Sequence, residues 1–232
     1  MPAAPQLSTM QAWLQERQYA RPYHWEQTGN DEIEYRLRTE AVLELAGFSP
    51  SHSEPTNKRL LDIGCGDARF AADAARRAWT VGVDVSQRAL TFARGLVPAA
   101  TFLSSGAEAL PFGDGAFDVV TLLDVIEHIP DANETAAVHE ALRVLKRGGR
   151  LVISTNTDRS AREWKHYRHY SIARFRRLFE GCRDLRLIGL IPYFPTLRVW
   201  MHAPGVSRLL RTRIRRCPPE QAHVVIGGGT KA

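Results

Sequence analysis

Between residues 60 and 191, short continuous apolar runs alternate with stretches in which apolar residues recur every third or fourth position. A short apolar run bounded by turn formers marks a strand buried on both faces, and the three-to-four spacing marks an amphipathic helix. Strands are therefore expected at 60 to 63, 80 to 84, 101 to 104, 116 to 123, 149 to 155 and 184 to 191, with a last one near 222 to 226. Helices are expected at about 67 to 78, 86 to 95, 131 to 145 and 171 to 180. Alternation through short turns gives a parallel sheet covered on both faces, a doubly wound α/β domain that places ligands at the carboxyl edge of its strands.

The two ends break this pattern. Residues 1 to 10 are rich in proline and small residues with no period, the composition of a disordered tail. Trp13, Leu14 and Tyr19 suggest a short helix over 11 to 19, followed by the aromatic cluster Pro22-Tyr23-His24-Trp25 and a polar turn at Thr28-Gly29-Asn30. Ile33, Leu37, Val42 and Leu45 then mark a helix that Gly47 stops. A polar linker, 49 to 58, leads into the first strand. Past 195 come Leu197, Val199, Trp200 and Met201, then Pro204-Gly205, then Val206 to Arg216, a candidate basic amphipathic helix. Three parts follow: residues 1–57, a core at 58–195, and 196–232, a basic insertion with the last strand.

A chain of 232 residues with 44% hydrophobic content suits one large α/β domain. No apolar run approaches a membrane span and the N-terminus lacks a secretory pattern, so a cytoplasmic protein is expected. Cys65, Cys182 and Cys217 have neither the number nor the spacing of a disulfide framework or a thiolate zinc site. The net charge of +6 hides an asymmetry. Residues 1 to 157 carry 15 Lys and Arg against 20 Asp and Glu, a balance of −5, while 158 to 217 carry 15 against 4, a balance of +11. The basic part could attract an anionic substrate, a nucleic acid backbone or an acidic membrane surface, or could simply be a solvated face rich in arginine.

The chemistry centres on Leu60-Leu61-Asp62-Ile63-Gly64-Cys65-Gly66-Asp67, where a buried strand hands over to a helix. Glycine at 64 and 66 removes two Cβ atoms, so a ligand can lie against the backbone at the opening of the next helix. Arg69 stands where a dinucleotide fingerprint would place its third glycine, which argues against a pyrophosphate. Val81-Gly82-Val83-Asp84 ends the second strand in an acid, the position from which a carboxylate holds ribose hydroxyls. A nucleoside without a diphosphate fits both facts.

At these residues the chain resembles the class I S-adenosyl-L-methionine (SAM) dependent methyltransferases. Asp62 to Asp67 is similar to their first motif, Val83-Asp84-Val85-Ser86 to the second, and Ala109-Leu110-Pro111-Phe112 with Phe117-Asp118-Val119-Val120 to the third and the approach to the fourth. Asp124-Val125-Ile126-Glu127-His128-Ile129 and Leu145-Lys146-Arg147-Gly148-Gly149-Arg150-Leu151 complete the series in order. The resemblance implies a Rossmann-like sheet of seven strands with an antiparallel seventh beside the sixth, and N-terminal helices lying over the cofactor as a lid. Tyr23, His24 and Trp25 could sit in that lid, or Trp25 could pack on the sheet. It implies SAM as cofactor, with Asp62 and the backbone of Gly64, Cys65 and Gly66 at the methionine end and the backbone near Leu123 completing that site. Asp84 would hold the ribose, Val85 an adenine face, and the Ala107 N–H the adenine edge. Many relatives carry an acid where Gly106 stands, so Glu108 or water would take over that contact. The Cys65 side chain is expected to pack under the loop.

Asp124, Glu127 and His128 stand at i, i+3 and i+4 after the fourth strand, so a helical turn would bring them to one face beside the transferable methyl. Past the fifth strand, Glu163-Trp164-Lys165-His166-Tyr167-Arg168-His169-Tyr170-Ser171 forms a polar, aromatic loop. His128, His166 and His169 are the candidate catalytic residues, because a hydroxyl acceptor needs a base with a pKa near neutral. The loop resembles that of a group of bacterial methyltransferases of uncertain substrate, close to those acting on glycan, lipid or natural-product hydroxyls. Glu127-His128 with a later histidine also resembles the metal-binding set of the small-RNA 3′-terminal 2′-O-methyltransferases. No metal is assigned, since an acid followed by histidine is widespread in methyltransferases that bind none. The expected function is methyl transfer to a hydroxyl of a small molecule, sugar or lipid-linked intermediate. The alternatives are an RNA-modifying enzyme, in which the basic 158 to 217 segment contacts phosphates, and a catalytically inactive SAM-binding module.

Overall fold

The computed structural model describes residues 16–28, 30–48, 55–161, 166–191 and 215–232. The expected N-terminal tail, most of the linker, the first part of the basic helix and Trp164 and Lys165 lie outside the described residues. Helix α1 (Asn30–Leu45) precedes β1 (Arg59–Ile63), α2 (Arg69–Ala75), β2 (Trp79–Asp84), α3 (Gln87–Leu96), β3 (Thr101–Ser104) and β4 (Phe117–Leu123). Then come α4 (Asp131–Val144), β5 (Leu145–Asn156), α5 (Ile172–Arg177), β6 (Cys182–Ile191), β7 (Arg215–Cys217) and β8 (Val224–Lys231). The strands form one sheet in the order β3-β2-β1-β4-β5-β8-β6-β7.

Strands β1 to β5 pair in parallel, and β8 runs antiparallel between β5 and β6. The order reverses at β1, so the carboxyl ends of β1 and β4, adjacent through Ile63 and Leu122, flank a topological switch point. Seven strands were expected and eight are present. The additional one is β7, which pairs antiparallel with β6 and contains Arg215 and Arg216, expected as the end of the basic helix. Those two residues pair at the sheet edge opposite Ile191 and Leu190.

Continuous apolar runs are explained by burial on both faces. Leu61, Ile63, Val120, Leu122, Leu151 and Ile153 pack against Ala137, Val138 and Ala141 of α4 and against Phe175 and Phe179. Their strand neighbours Leu60, Val119 and Val152 point the other way, onto Val42 and Leu45 of α1 and Phe70 and Ala74 of α2. Leu60, Leu61, Leu122 and Ile153 are all fully buried. Such burial contributes about 1.5–3 kcal/mol per large side chain. Among the described residues no helix is long and apolar enough to cross a membrane.

Strand β8 begins at Val224 and continues through Gly227, Gly228 and Gly229 to Lys231, five residues beyond the expected end. A Cβ at Gly227 would stand 2.7 Å from the Phe179 ring, and one at Gly228 would stand 2.7 Å from Leu45 Cβ. The glycines are therefore the places where α1 and the residues after α5 press onto a central strand.

Candidate active site

The chain leaves β1 through a turn in which Gly64 has φ +72°, Gly66 φ +53° and Ala68 φ +66°. Both glycines are required twice over. Each sits in the left-handed region, and a Cβ at Gly64 would lie 2.3 Å from Val125 Cγ2, one at Gly66 2.4 Å from the Tyr19 hydroxyl. The N–H groups of Gly64 and Cys65 donate to the Val83 carbonyl at 2.7 and 3.0 Å, and that of Gly66 to Asp84 Oδ2 at 2.9 Å. These three donors serve the turn itself. With those N–H groups occupied, the turn is not an anion-binding nest.

Asp84 ends β2 fully within the protein, and its other oxygen, Oδ1, accepts the Ser86 N–H at 2.9 Å. Burial pushes its carboxyl up from the usual range, against the backbone N–H groups that favour the anion. Ser86 in turn caps α3 by accepting the Ala89 N–H at 3.1 Å. Asp62, 2% exposed, accepts the Thr121 hydroxyl at 2.7 Å. Burial, with the nearby Asp84 adding to it, pushes the Asp62 carboxyl up to about 7 against that hydrogen bond. The Cys65 thiol packs beneath the turn as expected; a Cβ at Gly82 would lie 2.8 Å from its sulfur, and burial holds its pKa high.

The N-terminal segment closes over this turn. Asp67 is fully buried and its carboxylate accepts the His24 backbone N–H at 3.1 Å and pairs with His24 Nδ1 at 2.8 Å. Trp25 Nε1 donates to the Asp67 carbonyl at 2.9 Å, and Arg69 donates to the His24 carbonyl. Tyr19 stacks at 5.4 Å on Tyr23, which lies 3.9 Å from the His24 ring. Tyr23, His24 and Trp25 thus sit on the glycine turn rather than on the sheet, with Trp25 38% exposed. Asp67 and Tyr19 are the contributors that motif spacing alone does not single out, since their roles depend on segments more than forty residues apart meeting.

The second half of the site follows β4. Asp124 takes φ +55°, unusual for a side-chain-bearing residue. The chain then forms a 3₁₀ turn over Ile126–His128. Because Val125 touches Gly64, this turn lies directly beside the glycine turn. The loop after β5 folds onto it: Tyr167 N–H donates to the Glu127 carbonyl at 2.9 Å, and the rings of His128 and His166 meet edge-on with centroids 4.7 Å apart. His166 Nδ1 and His169 Nε2 share a hydrogen bond of 3.0 Å. All three candidate histidines are therefore brought together. Glu127 is completely buried, and burial, with Asp124 adding to it, pushes its carboxyl up to about 8. Asp124 does not join the cluster. Its carboxylate is paired with Arg38 of α1 and accepts the Ser154 hydroxyl at 3.0 Å.

The remaining expected cofactor positions fall around the same carboxyl edge. Val85 is 39% exposed past the end of β2, Ala107 is buried after β3, and Leu123 closes β4. The Glu108 carboxylate oxygens lie 2.9 Å from where a Cβ on Gly106 would stand.

Residues 61–153 match a family described as the methyltransferase domain. The chain is 38% identical over 104 residues to the ubiquinone biosynthesis O-methyltransferase of Alkalilimnicola ehrlichii, covering 42% of this chain and 41% of that protein. It is 34% identical over 137 residues to the chloroplastic tocopherol O-methyltransferase of Arabidopsis thaliana, covering 55% and 38%. The chain thus spans about two fifths of the length of these relatives. Among solved structures, a SAM-dependent methyltransferase from Thermotoga maritima superposes with a TM-score of 0.60 at 23% identity, covering 86% of this chain and 97% of that one, a likeness of fold. The match lies over the strands that build the switch point, and over residues 61–153 the chain is similar to the methyltransferase domains of these proteins.

Proposed function

We propose that the protein is an enzyme that transfers the methyl group of SAM to a hydroxyl of a small molecule, sugar or lipid-linked acceptor. One observation carries the reading: His128, His166 and His169 converge beside the turn that would hold the cofactor. SAM supplies a sulfonium whose methyl leaves by in-line displacement, so the protein has to align acceptor and donor and exclude water. An amine attacks with a free lone pair, whereas a hydroxyl must also lose a proton, and an imidazole beside the acceptor serves that need at neutral pH. The ubiquinone and tocopherol enzymes to which the chain is similar are O-methyltransferases by name.

The chain's own groups suit this donor. The methionine ammonium is a donor of hydrogen bonds and would meet carbonyls of the 64–66 turn, the Asp62 carboxyl and the backbone near Leu123. The turn's own N–H groups are already occupied, which fits a cation better than an anion. The Asp84 oxygens accept the backbone N–H groups of Gly66 and Ser86, and their remaining lone pairs would serve the ribose hydroxyls. Val85 would offer apolar surface to adenine, the Ala107 N–H would meet its edge, and Glu108 would accept from its amino group. Tyr19, His24 and Trp25 would close the cradle against water. Incubation with methyl-labelled SAM and a panel of phenols, sugars, lipid-linked alcohols and amines tests the reading. Label is expected in a hydroxyl-bearing product, and transfer to amines alone would overturn it.

A second reading has its own observation. Glu127, His128 and His166 each present a ligand atom, all within 4.8 Å of one another, and Glu127 Oε2 is buried without a hydrogen-bond partner among the described residues. A mixed imidazole and carboxylate set suits a borderline divalent ion such as zinc or manganese, which would lower the pKa of an acceptor hydroxyl. Loss of turnover in chelator, restored by either ion, would establish it. Full turnover in chelator leaves the histidines as the base.

A further inference from the structure

The residue that joins the loop after β5 to the turn after β4 is neither a histidine nor an acid. Arg168 lies between His166 and His169 in the chain, is 6% exposed, and spends all three of its guanidinium nitrogens on the elements around it. Nη1 donates to the Ile126 carbonyl at 2.8 Å and Nη2 to the Ile129 carbonyl at 2.5 Å, the two ends of the turn that carries Glu127 and His128. Nε donates to Asp131 Oδ1 at 2.6 Å, in the first turn of α4. The fully buried Tyr170 repeats the connection one step on, its hydroxyl donating to Glu134 Oε1 at 3.0 Å, while Arg174 holds the other Glu134 oxygen at 2.5 Å.

A guanidinium cannot shed its charge, and its planar fork fixes the direction of each bond. The carbonyls at 126 and 129 therefore define where Arg168 stands, and Arg168 defines where its chain neighbours stand. We infer that Arg168 is a positioning residue of this site: it docks the loop after β5 onto the turn after β4 and so sets the approach of His166 and His169 to His128. The inference rests on the acceptor site lying at the histidines. It assigns Arg168 no contact with substrate. It also removes Arg168 and Arg174 from the basic excess available to an external anion.

The test uses the whole chain, histidine-labelled with nitrogen-15, in chelator at fixed pH. The bond between His166 and His169 should appear as an exchange-protected imidazole proton far downfield. Arg168→Gln should lose that signal, hold S-adenosylhomocysteine within about twofold of the parent affinity, and lower kcat at least about tenfold with little change in the KM for SAM. Arg168→Lys should recover part of the loss. Retention of both the imidazole signal and the parent kcat in Arg168→Gln would overturn the inference, as would loss of product affinity in the same proportion as turnover. Should Arg168→Gln not fold, Asp131→Asn decides, because that carboxylate is 71% exposed and partners the same guanidinium. A weakened imidazole signal is expected, and an unchanged one overturns the inference. If the parent binds the product yet methylates nothing in the panel, the acceptor reading fails by itself, and the imidazole signal still reports whether Arg168 places the loop.

Discussion

Replacing Gly64 by alanine perturbs both halves of the site through one methyl group. At φ +72° a Cβ costs about 1–2 kcal/mol in backbone strain. That atom would also lie 2.3 Å from Val125 Cγ2 and 3.1 Å from Cγ1, so Val125 must shift, and overpacking of this kind costs about 1–3 kcal/mol. Together the terms come to at least about 2 kcal/mol, and for a chain of this size each kcal/mol moves Tm by roughly 2–4 °C. Differential scanning calorimetry should therefore show Tm lowered by at least about 4 °C. Val125 leads directly into Ile126–His128, so the shift carries into the histidine turn and turnover should fall along with stability. Gly95→Ala is the control. It lies in α3 with nothing within 4 Å of the new Cβ, and should hold or raise Tm, as alanine is favoured over glycine in a helix by about 0.5–1 kcal/mol. A Gly64→Ala protein that melts with the parent would refute the claim that the turn and the histidine-bearing segment are in contact.

Asp62→Asn tests the buried acid. The folded carboxyl titrates at about 7 and the unfolded one at about 4, so between those values the native state holds a proton that the unfolded state has lost, and stability declines as pH rises across that window. Asparagine still accepts the Thr121 hydroxyl and should flatten the decline in urea melts at pH 5 and pH 8; an identical slope would contradict the burial argument. Asp84→Ala should abolish S-adenosylhomocysteine binding in calorimetry. His128→Ala and His166→Ala should leave it intact while turnover drops about a hundredfold or more, the scale of general-base catalysis. Equal loss of binding and turnover in the histidine variants would place them in the cofactor site instead. His24→Ala removes the imidazole pair with Asp67, one of the ties that hold the N-terminal segment on the turn, and stopped-flow release of the product should quicken several-fold, the sign that this segment covers the cradle. Unchanged release would make it a packing element.

How legible each part was depended on where its signal lay. The switch point was readable because Leu60 to Ile63 and Val119 to Leu122 are buried on both faces, and such burial writes itself as an unbroken apolar run. Strand β8 was cut short at residue 226, because three successive glycines read as a break. Only the approach of Phe179 and Leu45 shows why they are a strand. The basic excess of residues 158 to 217 reads equally as a docking face or as a solvated, arginine-rich surface. Among its described members, Arg168 and Arg174 instead answer Asp131 and Glu134 of α4, while Arg186 and Arg216 both hold Glu44 of α1. A charge count cannot distinguish a free cation from one neutralised by an acid a hundred residues away.

Taken alone, the amino-acid order determined the doubly wound class, the glycine turn and the acid that follows it. Each of these is a local demand, a period of burial or a φ value that tolerates no Cβ, and a local demand leaves its mark on adjacent letters. Tertiary structure decided which long-range partners the polar groups take. His128 meets His166, Asp124 turns away to Arg38, Asp67 is covered by His24, and Arg168 ties the loop after β5 to the turn after β4. Those pairings are set by directional hydrogen bonds between segments that only the folded sheet brings within reach.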